Sequence, residues 1–129
     1  MNVQLQQLHI EEIPGYEEIP GYLKARFNGA NTTEEAEQQL KILAEKCKST
    51  KKHKLLLDFT GVPANISFVD RYELGKRTLV FAKHNCKVAA VCKSEHHESA
   101  CFLATVAQNR WVDLCIFTNI EDALEWLLK

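Results

Sequence analysis

Two short stretches of the chain contain an unbroken apolar run. The first, residues 55–57, is a run of three leucines that ends at Asp58, and the second, residues 87–92, reads KVAAVC and is apolar from Val88 onward. A strand with one exposed face alternates apolar and polar residues, whereas a continuous apolar run of this length is typical of a strand buried on both faces. Strands of this kind belong to parallel sheets covered by helices, so the two stretches predict an α/β fold.

Strand and helix patterns alternate along the rest of the chain. In order, the sequence predicts strands at 3–10 and 23–27, a helix at 33–48, a strand at 55–60, a helix from residue 68, a strand at 87–92, a helix from 94 to about 109, a strand at 112–117 and a closing helix. We therefore expect a single domain over residues 1–129 in the order β-β-α-β-α-β-α-β-α. Its sheet should be mixed and mostly parallel, with about five strands and about four helices, an N-terminal hairpin and right-handed crossovers.

Capping patterns and apolar spacing add detail to the helices. Ser94 is expected to cap the helix after the fourth strand, and Thr118 with Glu121 fits a capping box for the closing helix. In the helix that begins near Phe68, the spacing of apolar residues predicts a buried face that includes Leu79 and Ala82.

The hexapeptide EEIPGY occurs twice in tandem, at residues 11–16 and 17–22. A perfect repeat of this length is too short for a solenoid, and one copy already supplies a Pro-Gly turn. We interpret it as a local duplication that lengthens a surface loop, where insertions cost little. A Pro-rich docking site is the alternative, although the PxxP spacing of such sites is absent.

Charge and composition exclude some classes of partner. Sixteen basic and seventeen acidic residues give a formal charge of −1, so we expect neither nucleic acid nor an anionic membrane as the main partner. No apolar run approaches the roughly 20 residues that span a bilayer, and the N-terminal residues do not fit a secretory signal. We expect a cytoplasmic protein whose five cysteines are mostly buried free thiols.

The predicted working surface lies where the central strand ends. In open α/β sheets, ligands and partners bind beyond the carboxyl ends of the strands, where loops and helix N-termini meet. The loop at 60–67, the first turn of the next helix and the neighbouring residues 94–97 should form this surface. The residues predicted to bind a partner or ligand there are Asp58, Thr60, Asn65, Ser67, Asp70, Arg71, Tyr72 and Glu73.

Several of these residues also allow a structural interpretation. Ser67 with Asp70 is the S-x-x-D pattern of a helix cap, and a phosphorylation site is the alternative for Ser67. Thr60 is another hydroxyl that a kinase could phosphorylate, although a turn residue is the simpler interpretation. Asp58 and Asp70 are two carboxylates that could share one edge of the sheet, but no further metal ligand or catalytic partner accompanies them in the sequence.

The best metal candidate is the group Cys92, His96, His97 and Cys101, because thiolate and imidazole are zinc ligands. Its spacing matches no standard zinc pattern, so we predict no metal and no cofactor. The chain also contains no nucleophile elbow, P-loop or dinucleotide-binding glycine motif. We therefore do not expect an enzyme.

The element order, with LLLDFTGV leading into FVDRYELG, resembles the STAS domain of SpoIIAA-like anti-sigma-factor antagonists. It is more similar to small bacterial STAS/SpoIIAA-like proteins, which share the fold of the lipid-binding Sec14 (CRAL-TRIO) domain. The closing stretch VAQNRWVDLCIFTNIEDALEWL resembles the last helix, strand and helix of that group. The resemblance covers nearly the whole chain apart from the duplicated hexapeptide.

The chain departs from the regulatory STAS pattern at the phosphorylated serine. Residues that match the pattern are Asp58, Gly61, Val62, Asp70, Leu74 and Gly75. Arg71 and Tyr72 stand where the family has serines, and Glu73 replaces a glycine. The usual phosphoacceptor is therefore missing.

The resemblance implies a non-enzymatic regulatory module that binds another protein, such as a regulator or a kinase-like partner. A homodimer, formed through a sheet edge or a helix face, is a further expectation for so small a domain. The alternative is a small-molecule or lipid carrier of the Sec14-like kind. A carrier would need an apolar cavity of several hundred Å³.

Overall fold

A computed structural model describes residues 8–28, 33–61 and 75–129 of the chain. Five strands form one sheet in which the spatial order is the chain order, β1-β2-β3-β4-β5. The strands are β1 (Leu8–Ile13), β2 (Tyr22–Phe27), β3 (Lys54–Asp58), β4 (Lys87–Val91) and β5 (Asp113–Phe117), and the helices are α1 (Thr33–Thr50), α2 (Leu79–Lys83), α3 (His97–Gln108) and α4 (Ile120–Leu127). Only the β1–β2 pair is antiparallel. The predicted α/β fold with a mixed, mostly parallel sheet is confirmed.

Both faces of the central strands are buried, as the apolar runs predict. Alternate residues of β3 point to opposite faces. Leu55 and Leu57 pack in a core with residues of α1, α2 and α3. Leu56 packs in a second core against Ala123 and Leu127 of α4. Three helices therefore cover one face of the sheet, and α4 covers the other.

The helix before β4 buries only part of the predicted face. Gly75, four residues before Leu79 on that face, packs so closely on α3 that an added Cβ would lie 2.7 Å from Cβ of Val106, and Ala82 packs against the core. Leu79, in contrast, is 40% exposed, and Phe81 is buried in its place. A turn at Thr78, whose hydroxyl donates to the Gly75 carbonyl at 2.6 Å, interrupts the helix, so one continuous apolar spacing does not describe both sides of it.

The duplicated hexapeptide forms part of the sheet rather than a separate loop. Its first copy begins inside β1, and Tyr22 of its second copy begins β2. Between them, Tyr16 and Ile19 exchange two backbone hydrogen bonds, of 3.0 and 2.8 Å. Gly15 lies so close to Gly21 that a Cβ on Gly15 would be 2.8 Å from the Gly21 nitrogen. The two copies thus pair with each other as an arm, residues 14–21, that extends the β1–β2 hairpin.

The two ends of α4 are stabilised by different interactions. At its start, Asn119 is the N-cap and accepts a 2.8 Å hydrogen bond from the Asp122 N–H, one residue later than the predicted cap at Thr118. At its end, Lys87 Nζ donates to the Trp126 carbonyl at 2.7 Å and lies 4.5 Å from the Trp126 ring centroid. Lys54 Nζ lies 3.5 Å from the main-chain oxygen of Lys129. Cations at a helix C-terminus stabilise it.

Ser94 does not cap α3 as predicted. Residues Ser94–His96 form a 3₁₀ turn, and α3 begins at His97 with His96 as an N-cap that makes no side-chain cap hydrogen bond. None of the helices in the described part of the chain has the length and hydropathy to cross a membrane.

Candidate functional site

The carboxyl ends of the parallel strands form one continuous edge. Backbone pairing continues just beyond the strands, because Phe59 N–H donates to the Val91 carbonyl at 2.8 Å and Cys92 N–H donates to the Phe117 carbonyl at 3.0 Å. The Phe59 ring stacks on the Phe27 ring with centroids 4.5 Å apart. The chain that leaves β3 is therefore fixed to the ends of both neighbouring strands.

Asp58 ends β3 and ties this edge together. Only 6% of the residue is exposed. Its Oδ1 accepts a 2.9 Å bond from the Thr60 N–H and a 2.6 Å bond from the Thr60 hydroxyl. This Asx-type turn satisfies one side of a buried carboxylate and turns the chain away from the strand.

Arg26 lies on the other side of the same carboxylate. Its Nε is 3.7 Å from Oδ2 of Asp58, and its side chain is 54% exposed. The contact follows from the parallel register, which places Arg26 directly beside Asp58. The sequence prediction missed Arg26 because this residue fits the alternating pattern of a half-buried strand and is expected only to point to the polar face. The positively charged guanidinium of Arg26 therefore borders the predicted surface.

The predicted site divides into a described part and an undescribed part. The structure brings together Asp58 and Thr60, in direct contact. Asn65, Ser67, Asp70, Arg71, Tyr72 and Glu73 lie outside the described residues, so their part in the surface stays a prediction. The same holds for the proposed pairing of Asp58 with Asp70. Asp58 itself is less accessible than a binding residue should be, since its oxygens face Thr60 and Arg26.

The predicted metal candidate is only partly assembled. Sγ of Cys101 lies 3.5 Å from Nε2 of His97, one turn earlier on α3. Cys92 is buried at the end of β4, and burial raises the pKa of its thiol, with a smaller contribution from Cys101. Across the described ranges, no three His, Cys, Asp or Glu side chains converge as metal ligands.

The other cysteines belong to the core or its rim. Cys47 of α1 and Cys86, just before β4, are both buried and share a side-chain hydrogen bond. This bond lowers the pKa of Cys86 against the opposing effect of burial, and it raises the pKa of Cys47 together with burial. All five cysteines are free thiols. Three of them, Cys47, Cys86 and Cys92, are buried, as predicted for most of the cysteines.

A charged groove of about 440 Å³ runs between α1 and α2 on the outer side of the helix layer. Arg77 donates to Oε2 of Glu37 at 2.8 Å and so bridges the two helices within it. The groove is lined by Glu37, Lys41, Lys76, Arg77, Leu79, Val80 and Lys83. The sequence prediction did not identify this groove, because it depends on how the two helices pack.

A second groove, of about 450 Å³, lies along α1 and is lined by Lys41, Ile42, Glu45, Lys46 and Ser49. Both grooves are open to solvent and contain charged side chains. They therefore differ from the enclosed apolar cavity that a lipid carrier needs.

Comparison with models of known protein families gives no match, and no curated protein has a significantly similar sequence.

Proposed function

We propose that this protein is a non-enzymatic, cytoplasmic STAS-like module that regulates or recruits another protein through the carboxyl edge of its sheet. The surface comprises the Asp58–Thr60 turn, the neighbouring Arg26, and the residues that follow in the chain. Among the latter, Arg71 and Glu73 are the charged positions at which this sequence departs from the regulatory STAS pattern.

The observation that supports this proposal most directly is the bonding of Asp58. Its buried carboxylate is occupied by Thr60 and Arg26, so it acts as an anchor for the strand end rather than as a reacting group. A rigid strand end beneath a polar surface is suited to presenting residues to a partner.

The carrier alternative receives less support from the described residues. Both sheet faces are filled by packed side chains of the two cores. The prominent grooves lie on the surface and are lined by lysine and glutamate. A carrier would hold its apolar ligand among apolar side chains away from water.

The test is partner capture by charge-reversed variants. Arg71→Glu and Glu73→Lys should each reduce recovery of the cross-linked partner from host extract by roughly tenfold, because opposed like charges cost binding energy. Thermal unfolding should change little, because the proposal requires both side chains to be accessible to a partner, and accessible substitutions rarely shift stability by more than about 0.5 kcal/mol.

Glu125→Lys is the matched control. Its side chain is 73% exposed on α4, away from the carboxyl end of β3. This variant should capture the partner as well as the unmodified chain does. Equal capture by all variants, or loss of capture that follows loss of stability, would refute the proposal.

A further inference from the structure

Residues 11–22, which include the arm, are acidic, and the tip of the arm carries exposed apolar side chains. The segment contains four glutamates and no basic residue. Tyr16 is 68% exposed and Ile19 is 39% exposed at its tip, on either side of Glu17 and Glu18. Because the Tyr16–Ile19 hydrogen bonds hold the tip in one conformation, it presents these side chains with little ordering cost.

The groove between α1 and α2 has the complementary character. It is lined by four cations and one carboxylate, and Arg77 already pairs with that carboxylate, Glu37. Leu79, which is 40% exposed, lies in the same groove. Four large apolar side chains are exposed in the described ranges, and three of them belong to the arm tip or to this groove.

The arm does not occupy the groove of its own chain, because Tyr16 at its tip and Leu79 in the groove both remain exposed. The base of the arm lies near the end of α1, where Lys52 approaches Glu12 at 3.8 Å. Glu37, at the far end of the groove, lies thirteen residues before Thr50, the last residue of α1, which is roughly 20 Å along the helix axis at 1.5 Å per residue. The groove of a second copy is therefore the site that we consider for the arm.

We propose that the protein self-associates by inserting the acidic arm of one copy, with Tyr16 and Ile19, into the basic α1–α2 groove of a second copy. Glutamates of the arm then face lysines of the groove, and the exposed apolar side chains of both features become buried together. The groove lies on the face of the sheet that α1, α2 and α3 cover, whereas Asp58 of the proposed partner surface shares the opposite face with Leu56.

The test uses charge reversal on each side of the contact, with mass measured by native mass spectrometry and by sedimentation over a range of concentrations. Glu17→Lys with Glu18→Lys should weaken self-association by roughly tenfold or more, and so should Lys41→Glu with Lys83→Glu. Added salt should also weaken the association of the unmodified chain, because the charges are exposed. Glu121→Lys with Glu125→Lys, which changes the charge equally on α4, should have no such effect.

Mixing the two reversed proteins provides the decisive measurement. Each alone places like charges at the contact, whereas the mixture pairs a lysine arm with a glutamate groove and a glutamate arm with a lysine groove. The mixture should therefore form mixed assemblies even though neither variant self-associates. This result would also show that both variants are folded.

A monomeric unmodified chain at all concentrations would overturn the proposal, and the groove would then be open to an acidic segment of a different protein. An equal effect of the α4 control variant, or a mixture that fails to associate, would overturn it as well. Capture of the regulatory partner is measured separately with the Arg71 and Glu73 variants. Failure of one proposal therefore does not count against the other.

Discussion

At the scale of single residues, Asp58 shows how one side chain can be both a motif residue and a structural anchor. The sequence predicts a strand at 55–60, and the structure ends it at Asp58; the part of Asp58 in binding stays a prediction, and its 6% exposure makes that part indirect. Its two short hydrogen bonds from Thr60 are local, whereas its 3.7 Å contact with Arg26 depends on register. Register is a tertiary property, and the pattern of one strand does not specify it.

Substitutions at Asp58 should separate its acceptor role from its charge. Asp58→Ala removes the acceptor of both the Thr60 N–H and the Thr60 hydroxyl and should lower the free energy of unfolding by about 2 kcal/mol. Asp58→Asn retains one acceptor oxygen and should cost only about 1 kcal/mol. Urea unfolding monitored by circular dichroism measures both. If the asparagine variant lost as much stability as the alanine variant, the carboxylate charge rather than the turn would be the main contribution.

At the scale of elements, the strands were easier to predict than the helix faces. The runs at 55–57 and 88–91 read directly as buried strands because every residue in them is apolar. The helix before β4 buries only part of its predicted face, because a turn at Thr78 separates Gly75, which packs on Val106 of α3, from the exposed Leu79. The duplicated hexapeptide was predicted as a loop, since only the folded hairpin shows that its two copies pair.

Lys54 and Lys87 lie beside each other near the C-terminal end of α4, and Lys54 leads to a prediction about how stability depends on pH. Burial, with a smaller contribution from the charge of Lys87, lowers the pKa of Lys54 from its ordinary value of 10.5. Between the lowered pKa and 10.5 the unfolded chain binds more protons than the folded chain, so the stability contributed at this position rises with pH. The melting temperature of Lys54→Met relative to that of the unmodified chain should therefore fall as the pH rises from 7 toward 10.5, and a difference that stays constant would contradict the prediction.

Lys87→Met is the matched control at the neighbouring position. It removes the 2.7 Å hydrogen bond to the Trp126 carbonyl and the contact with the Trp126 ring, so it should lower stability by about 1 kcal/mol. Thermal unfolding from pH 7 to pH 10 compares the two variants. A Lys54→Met variant that melts below the unmodified chain at pH 7 would show that its contact with the Lys129 oxygen outweighs the penalty of burial.

At the scale of the whole molecule, the α/β class and the order of its elements could be predicted because they follow from the periods of the apolar residues. The working surfaces could be predicted only in part. The carboxyl edge follows from a general rule of open α/β sheets. The α1–α2 groove and the pairing within the arm become visible only in the folded chain, and they are the features on which the proposed self-association depends.

The central claim is that this protein works by binding polypeptides at its surface and does not enclose a small molecule. Native mass spectrometry of the protein isolated from its host, followed by measurement after denaturation, tests this claim most directly. We predict assemblies whose whole mass is accounted for by polypeptide chains, either second copies or a partner protein. An excess of a few hundred daltons that remains in the native assembly and is released on denaturation would contradict the account and favour a carrier.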